Sequence, residues 1–237
     1  MQLSNLENRV YEKLKKEGFS VFRIRDICLL MNINKTKVYN IIKALNRKKA
    51  IIKIKNGLFA FRGANELEIA SSINYPSYIS FWTALNYYGY SDQNPNKIFL
   101  ATTKYSKDIG NFKFVTISKN RFFGYISKGD IVIADREKAF VDSLLFPKYS
   151  GGMKEIGRCL KYAVEKKEID AKKLMKHALF MKSKAVLRRL GFLIENSGYK
   201  ANLSNLNKRI GKGYELLDPS LKKKNNLNKK WLLDINW

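Results

Sequence analysis

Thr36, Asn40, Lys43 and Arg47 recur every three or four residues, so on an α-helix they stand along one face. A hydroxyl and an amide can hydrogen-bond base edges, and two cations can reach guanine or phosphate. The chemistry of this stripe is therefore recognition of duplex DNA, not bond breaking. Lys35, Lys37 and Tyr39 flank it and suit contacts with the DNA backbone. Such a face can read sequence only if the opposite face is anchored, and Val38, Ile41, Ile42 and Leu45 form the apolar stripe that does so.

The elements around this helix follow from local signals. Asn34 is a good N-cap for it. Before the turn Asn32-Ile33-Asn34, the residues Ile24, Ile27, Cys28 and Met31 mark a preceding helix. Further upstream, Ser4 and Glu7 fit a capping box for a first helix carrying Leu6, Val10 and Leu14. Three short helices with a tight turn before the last are the helix-turn-helix plan. The period then changes to alternation in Ile51 to Lys55 and Leu58 to Phe61, joined by Asn56-Gly57. Asn-Gly predicts a hairpin through a type I′ turn, which needs positive φ at both central residues. This hairpin is the expected wing, with Lys53, Lys55 and Asn56 directed at phosphates or the minor groove. The competing readings are a helical subdomain with a solvated charged face, and a winged helix that only holds another protein.

Composition agrees with a polyanionic partner. The 237 residues include 46 Lys and Arg against 20 Asp and Glu, a formal charge of +26, so binding to nucleic acid should weaken steeply with salt. Lys, Ile and Asn are abundant throughout, so charge alone carries little weight without the helix stripe. No apolar run is long enough to span a bilayer, and Met1-Gln2-Leu3-Ser4 lacks a charged n-region followed by an apolar one. The expectation is a cytoplasmic protein with no membrane partner. Cys28 and Cys159 each fall on an apolar helical face and read as packed thiols, with no metal site and no cofactor implied.

The predicted fold class is α+β: a winged helix-turn-helix domain over residues 1–62, then a larger mixed domain over 63–237. A helical segment spans Ala64 to Ile73. Tyr78, Phe81, Trp82, Leu85 and Tyr88 recur at helical spacing up to Gly89, and read as a core stripe. Strands are expected at 97–103, 112–118, 122–127 and 131–134. Asp135 then N-caps a helix that Pro147 stops, and further helices carry Ile156 to Val164, Leu174 to Met181 and Val186 to Ile194. Beyond Tyr199 there is a strand signal at Tyr214 to Leu217 and a basic segment, Lys222 to Asn226, expected to be exposed and mobile. Arg188 and Arg189 adjoin apolar Leu187 and Leu190, so at least one is expected outward, as a second nucleic-acid contact or a solvated charge.

Four segments carry a family resemblance: Tyr-Pro-Ser-Tyr-Ile-Ser-Phe-Trp-Thr-Ala-Leu-Asn-Tyr-Tyr-Gly (75–89), Lys-Ile-Phe-Leu-Ala-Thr-Thr (97–103), Ile-Ala-Asp-Arg-Glu-Lys-Ala-Phe-Val-Asp-Ser-Leu (133–144) and Leu-Arg-Arg-Leu-Gly-Phe-Leu-Ile-Glu (187–195). In this order and spacing, with the winged helix before them, they cover most of residues 5–198. The chain resembles the AbiEi-type antitoxins of abortive-infection toxin–antitoxin systems, which are winged-helix transcriptional regulators. The resemblance implies a repressor of its own operon that binds operator repeats in double-stranded DNA. It also implies a carboxy-terminal domain that counteracts a cognate nucleotidyltransferase-like toxin, directly or indirectly, and no enzymatic activity. By this likeness the base-reading helix is Lys35 to Arg47 and the wing is Ile51 to Phe61; residues 199–237 lie outside it.

Catalytic readings are weaker. Asp135-Arg136-Glu137-Lys138 offers acid–base groups, yet Asp at an N-cap and Glu in the first turn are what a helix dipole favours. Gly152 to Gly157 is followed by Arg158 and Cys159, where a phosphate loop needs Lys and Ser or Thr. His177 has no carboxylate or cysteine at ligand spacing. Glu165-Lys166-Lys167 lacks the preceding Pro-Asp of a restriction-type nuclease. The alternatives kept open are a regulator with no toxin partner and a nuclease or DNA-processing protein.

Overall fold

A computed structural model describes residues 2–199 and 201–237 as a mixed α+β chain. Two compact units emerge, residues 1–75 with 108–111, and residues 76–107 with 112–237. The division thus falls after Tyr75, beyond the residue 62 expected from sequence. The cause is the helical segment 66–73: its Ile69, Ala70 and Ile73 are buried and it lies against the first strand of the amino-terminal sheet.

The first unit runs α1 (Asn5–Lys16), β1 (Val21–Arg23), α2 (Ile24–Met31), α3 (Lys35–Arg47), β2 (Ile51–Lys55), β3 (Leu58–Phe61) and α4 (Glu66–Ile73). Helix α1 opens on the capping box, with Ser4 N–H donating to Glu7 Oε2 at 2.7 Å and Glu7 N–H to Ser4 Oγ at 3.4 Å. Its last turn carries Lys13, Lys15 and Lys16, cations at the end where the helix dipole favours them. The core is built from Val10, Leu14, Ile27, Val38 and Leu45, all fully buried, against Phe22 of β1. Strand β1 was not foreseen. It has three residues, too few for an alternation signal, and owes its existence to antiparallel pairing with β3 in a sheet of order β1-β3-β2.

Next in the chain come β4 (Ser77–Ile79), α5 (Phe81–Tyr87), β5 (Ile98–Thr102), β6 (Lys107–Ile109), β7 (Phe112–Thr116), β8 (Tyr125–Lys128) and β9 (Ile131–Ala134), of which all but residues 108 and 109 of β6 belong to the second unit. These strands form one mixed sheet of order β6-β7-β5-β4-β9-β8. Tyr78, expected on the helix with Phe81 and Trp82, instead lies in β4, antiparallel to β5 and parallel to β9. All three β4 residues are buried, so there is no polar alternation to distinguish them from a helix face. Gly89, at φ 74°, ends the region of α5 as its spacing predicted.

Helices α6 (Arg136–Leu145), α7 (Gly152–Glu165), α8 (Ala171–Phe180) and α9 (Lys184–Asn196) follow, then a single turn α10 (Ser204–Asn207). A closing sheet of β10 (Glu215–Leu216), β11 (Leu227–Asn228) and β12 (Leu233–Asp234) has the order β10-β12-β11. The basic segment Lys222 to Asn226 is exposed as expected. It is tied down, however: the backbone N–H groups of Asn225 and Asn226 donate to the Asp234 carboxylate at 2.9 and 3.1 Å.

This terminal segment overturns the outward reading of Arg188 and Arg189, which retain 1% and 6% of their exposure. Arg188 donates to the carbonyls of Ile210 (2.8 Å) and Lys212 (3.1 Å), and Arg189 to those of Leu144 (2.7 Å) and Leu217 (2.9 Å). A guanidinium with its donors committed to buried carbonyls cannot reach a phosphate. Trp231 completes the closure, its indole seated on Gly191 so closely that a Cβ there would lie 2.2 Å from the ring. Among the described residues no helix is long and apolar enough to cross a membrane, and both cysteines are free thiols, Cys28 half-buried and Cys159 buried.

Candidate nucleic-acid interface

The turn that aims α3 is fixed at both ends. Asn32 adopts a left-handed conformation, φ 51° and ψ 49°, at the C-cap of α2, a region that asparagine tolerates. Two residues on, the Asn34 side chain accepts the Lys37 backbone N–H at 2.9 Å and so caps α3. Val38 and Leu45 are fully buried, with Ile42 3% and Ile41 5% exposed, whereas Thr36, Asn40, Lys43 and Arg47 are all exposed. Lys35, Lys37 and Tyr39 are exposed beside them. Helix α3 contains no acidic residue. Among the described residues, Lys35, Lys37, Lys43, Arg47 and Lys53 take part in no ion pair. The result is a helix N-terminus with hydroxyl, amide and unneutralised cations on one face, the donor and acceptor set that a DNA major groove can engage.

The hairpin departs from expectation in two ways. Only Gly57 has positive φ, 75°, and Asn56 does not, so the turn is not type I′. The register shifts between Lys53 and Lys55, a bulge that changes which way the following side chain faces. Lys53 and Asn56 stay exposed, but Lys55 is half-buried and its ammonium donates to the Ile73 carbonyl of α4. Lys55 is therefore committed within its own unit and is removed from the set of phosphate contacts.

A second cluster, in the carboxy-terminal unit, was not legible from spacing. His177 of α8 lies 3.1 Å from Asp135, the N-cap of α6, whose other carboxylate oxygen accepts the Lys138 N–H at 2.7 Å. Lys173 bridges Asp135 (3.2 Å) and Glu137 (2.8 Å). Burial works to raise the Asp135 pKa, but the hydrogen bonds from His177, Lys138 and Lys173 outweigh it and hold the carboxyl below its usual range. Next to it Lys138 and Asp142 form a fully buried pair. Asp142 also accepts from Tyr78 (2.9 Å) and Ser80 (2.8 Å). Burial, and then the Asp142 charge, push the Tyr78 phenol well above its ordinary value. Each group in this network is partnered by another, so it pins α6 to β4 and α8. His177 thus has the carboxylate partner that its neighbours in sequence do not supply.

The glycine-rich segment before α7 is likewise occupied from within. Met153 N–H donates to Asp218 at 2.8 Å, and a Cβ on Gly152 would meet that carboxylate at 2.9 Å. A carboxylate thus sits where a phosphate would sit on a phosphate loop.

No family model matches the chain, and no curated protein matches it. Among solved structures, it is similar to the RV2827C protein from Mycobacterium tuberculosis over 98% of its own length and 92% of that chain, with a TM-score of 0.71. At 13% identity, this likeness shows a shared fold and nothing of function.

Proposed function

We propose that the protein is a sequence-specific DNA-binding transcriptional regulator, with residues 1–62 acting as a winged helix-turn-helix. The observation that carries this reading is the two-sidedness of α3: Thr36, Asn40, Lys43 and Arg47 are exposed along a helix whose Val38 and Leu45 are fully buried. Thr36 and Asn40 read base edges near the helix start, and Lys43 and Arg47 hold guanine or phosphate. Lys35, Lys37 and Tyr39 contact the backbone, and Lys53 with Asn56 reaches it from the hairpin.

The resemblance to AbiEi-type antitoxins extends the proposal to repression of the protein's own operon and neutralisation of a nucleotidyltransferase-like toxin. Gel shifts on DNA from upstream of its gene, against scrambled DNA, test the regulator. Asn40→Ala should cost about 1–3 kcal/mol on the cognate site and leave scrambled DNA unchanged. Equal loss on both would remove Asn40 from base reading. Co-expression with a neighbouring nucleotidyltransferase tests the antitoxin role: growth rescue supports it, and growth arrest despite soluble protein leaves a regulator without a toxin partner.

A further inference from the structure

The second unit carries two adjoining grooves that meet at Asn202, far in sequence from α3. The first, about 480 Å³, is lined by Lys172, Lys176, Lys182 and Arg209 around Met175, Leu179 and Phe180. No carboxylate lines it, and among the described residues none of its four cations is ion-paired. The second, about 760 Å³, continues with Tyr199, Lys208, Lys229 and Lys230. Its one acid, Glu195, is taken by Lys230 and by the Trp231 indole N–H at 2.8 Å.

Solvated lysines are ordinary on a chain of charge +26, but here they gather in one groove without a carboxylate. On α7, Lys161 pairs with Glu165 and Arg158 with Glu155. On α8, Lys172 and Lys176 are followed at helical spacing by Lys176 and Phe180, so like charges are left stacked on one face. Phe180 is 56% exposed and Tyr199 37% exposed, an aromatic ring in each half of the track. Asn202 and Asn205 add amides that both donate and accept.

Unpaired cations select a polyanion, and the two linked grooves suit a linear one. Exposed aromatic rings, Phe180 braced at 4.7 Å by Phe123 in a T-shaped contact, select a ligand whose own π-faces are free. A duplex hides its base faces in the stack; a single strand offers them. We propose that this track binds single-stranded nucleic acid, phosphates over Lys172, Lys176, Lys182 and Arg209 and bases against Phe180 and Tyr199. It is a site separate from the α3 face and does not depend on the function proposed for that face.

The test is fluorescence anisotropy of the full chain with a labelled mixed-sequence 20-mer as RNA, as DNA, and as a blunt DNA duplex. Lys176→Glu with Arg209→Glu, both at exposed positions and checked by circular dichroism, should weaken single strands at least about tenfold and the duplex less than about twofold. The slope of log affinity against log salt should fall by about 1.4 for two lost phosphate contacts. Phe180→Leu should cost about fivefold or more with that slope unchanged, since stacking releases no counterions. The tighter of the RNA and DNA arms identifies the sugar preferred. Unchanged single-strand affinity in the double variant overturns the proposal. So does displacement by polyglutamate as readily as by oligonucleotide, which would mark an acidic-peptide site. Lys43→Ala with Arg47→Ala serves as the control: loss of operator binding there without loss of single-strand binding separates the two sites.

Discussion

Arginine stands in opposite surroundings at positions 47 and 189. Arg47 stands exposed on a helix with no acid, whereas Arg189 spends its donors on the Leu144 and Leu217 carbonyls. Burial lowers the Arg189 pKa, with Glu215 and Asp218 opposing, so the charge is held by a cage of carbonyls and nearby carboxylates. Gly191, two residues on, is as tightly specified by the 2.2 Å approach of Trp231 to any Cβ. Gly191→Ala should destabilise the protein by about 1–3 kcal/mol, read as a lower midpoint in urea unfolding. Asp135 supplies a pH prediction. Its folded pKa lies below its ordinary value, so its contribution is present above about pH 4, the unfolded value, and is lost as pH falls through the folded one. Asp135→Asn keeps a capping oxygen but no charge. The variant should be less stable than the parent at pH 7, and the two unfolding midpoints should converge as pH falls below the folded-state pKa of Asp135.

At the scale of elements, the cap of α3 is the most exposed point of leverage on the proposed reading head. Asn34→Ala removes the acceptor for Lys37 N–H and should cost about 1 kcal/mol of stability, with weaker operator binding as the first turn frays. Measuring both thermal midpoint and affinity checks this. Helix α3 was legible in the sequence because cap, period and polar face all coincide within its 13 residues. Strands β1 and β4 were not, because three residues carry no period and their pairing is made by partners distant in sequence. The same limit hid the contact of His177 with Asp135, 42 residues apart, which exists only because α8 packs on α6. Lys55 was misread for another reason: alternation predicts its direction only while the register is regular, and the bulge beside it breaks that register. The grooves around Asn202 draw on α8, α10 and the closing segment, so no window of sequence contains them.

For the whole molecule, charge sets how binding responds to conditions. If Lys35, Lys37, Lys43, Arg47 and Lys53 each neutralise one phosphate, log affinity for operator duplex should fall against log salt with a slope of about −4 to −5. A slope near zero in a salt titration would contradict phosphate contact by these five. The two units also differ in where along the chain their cores are completed. The apolar cluster behind α3 in the first draws only on residues between Leu3 and Ala64, while the second needs Trp231 to cover Gly191. During synthesis the amino-terminal head can collapse while the remainder is still being translated; the larger unit must wait, its arginine-bearing helix bare, until Trp231 has been made. A premature stop ahead of Trp231 would thus release a finished head on an unfinished body, a product for proteases instead of a shorter working protein.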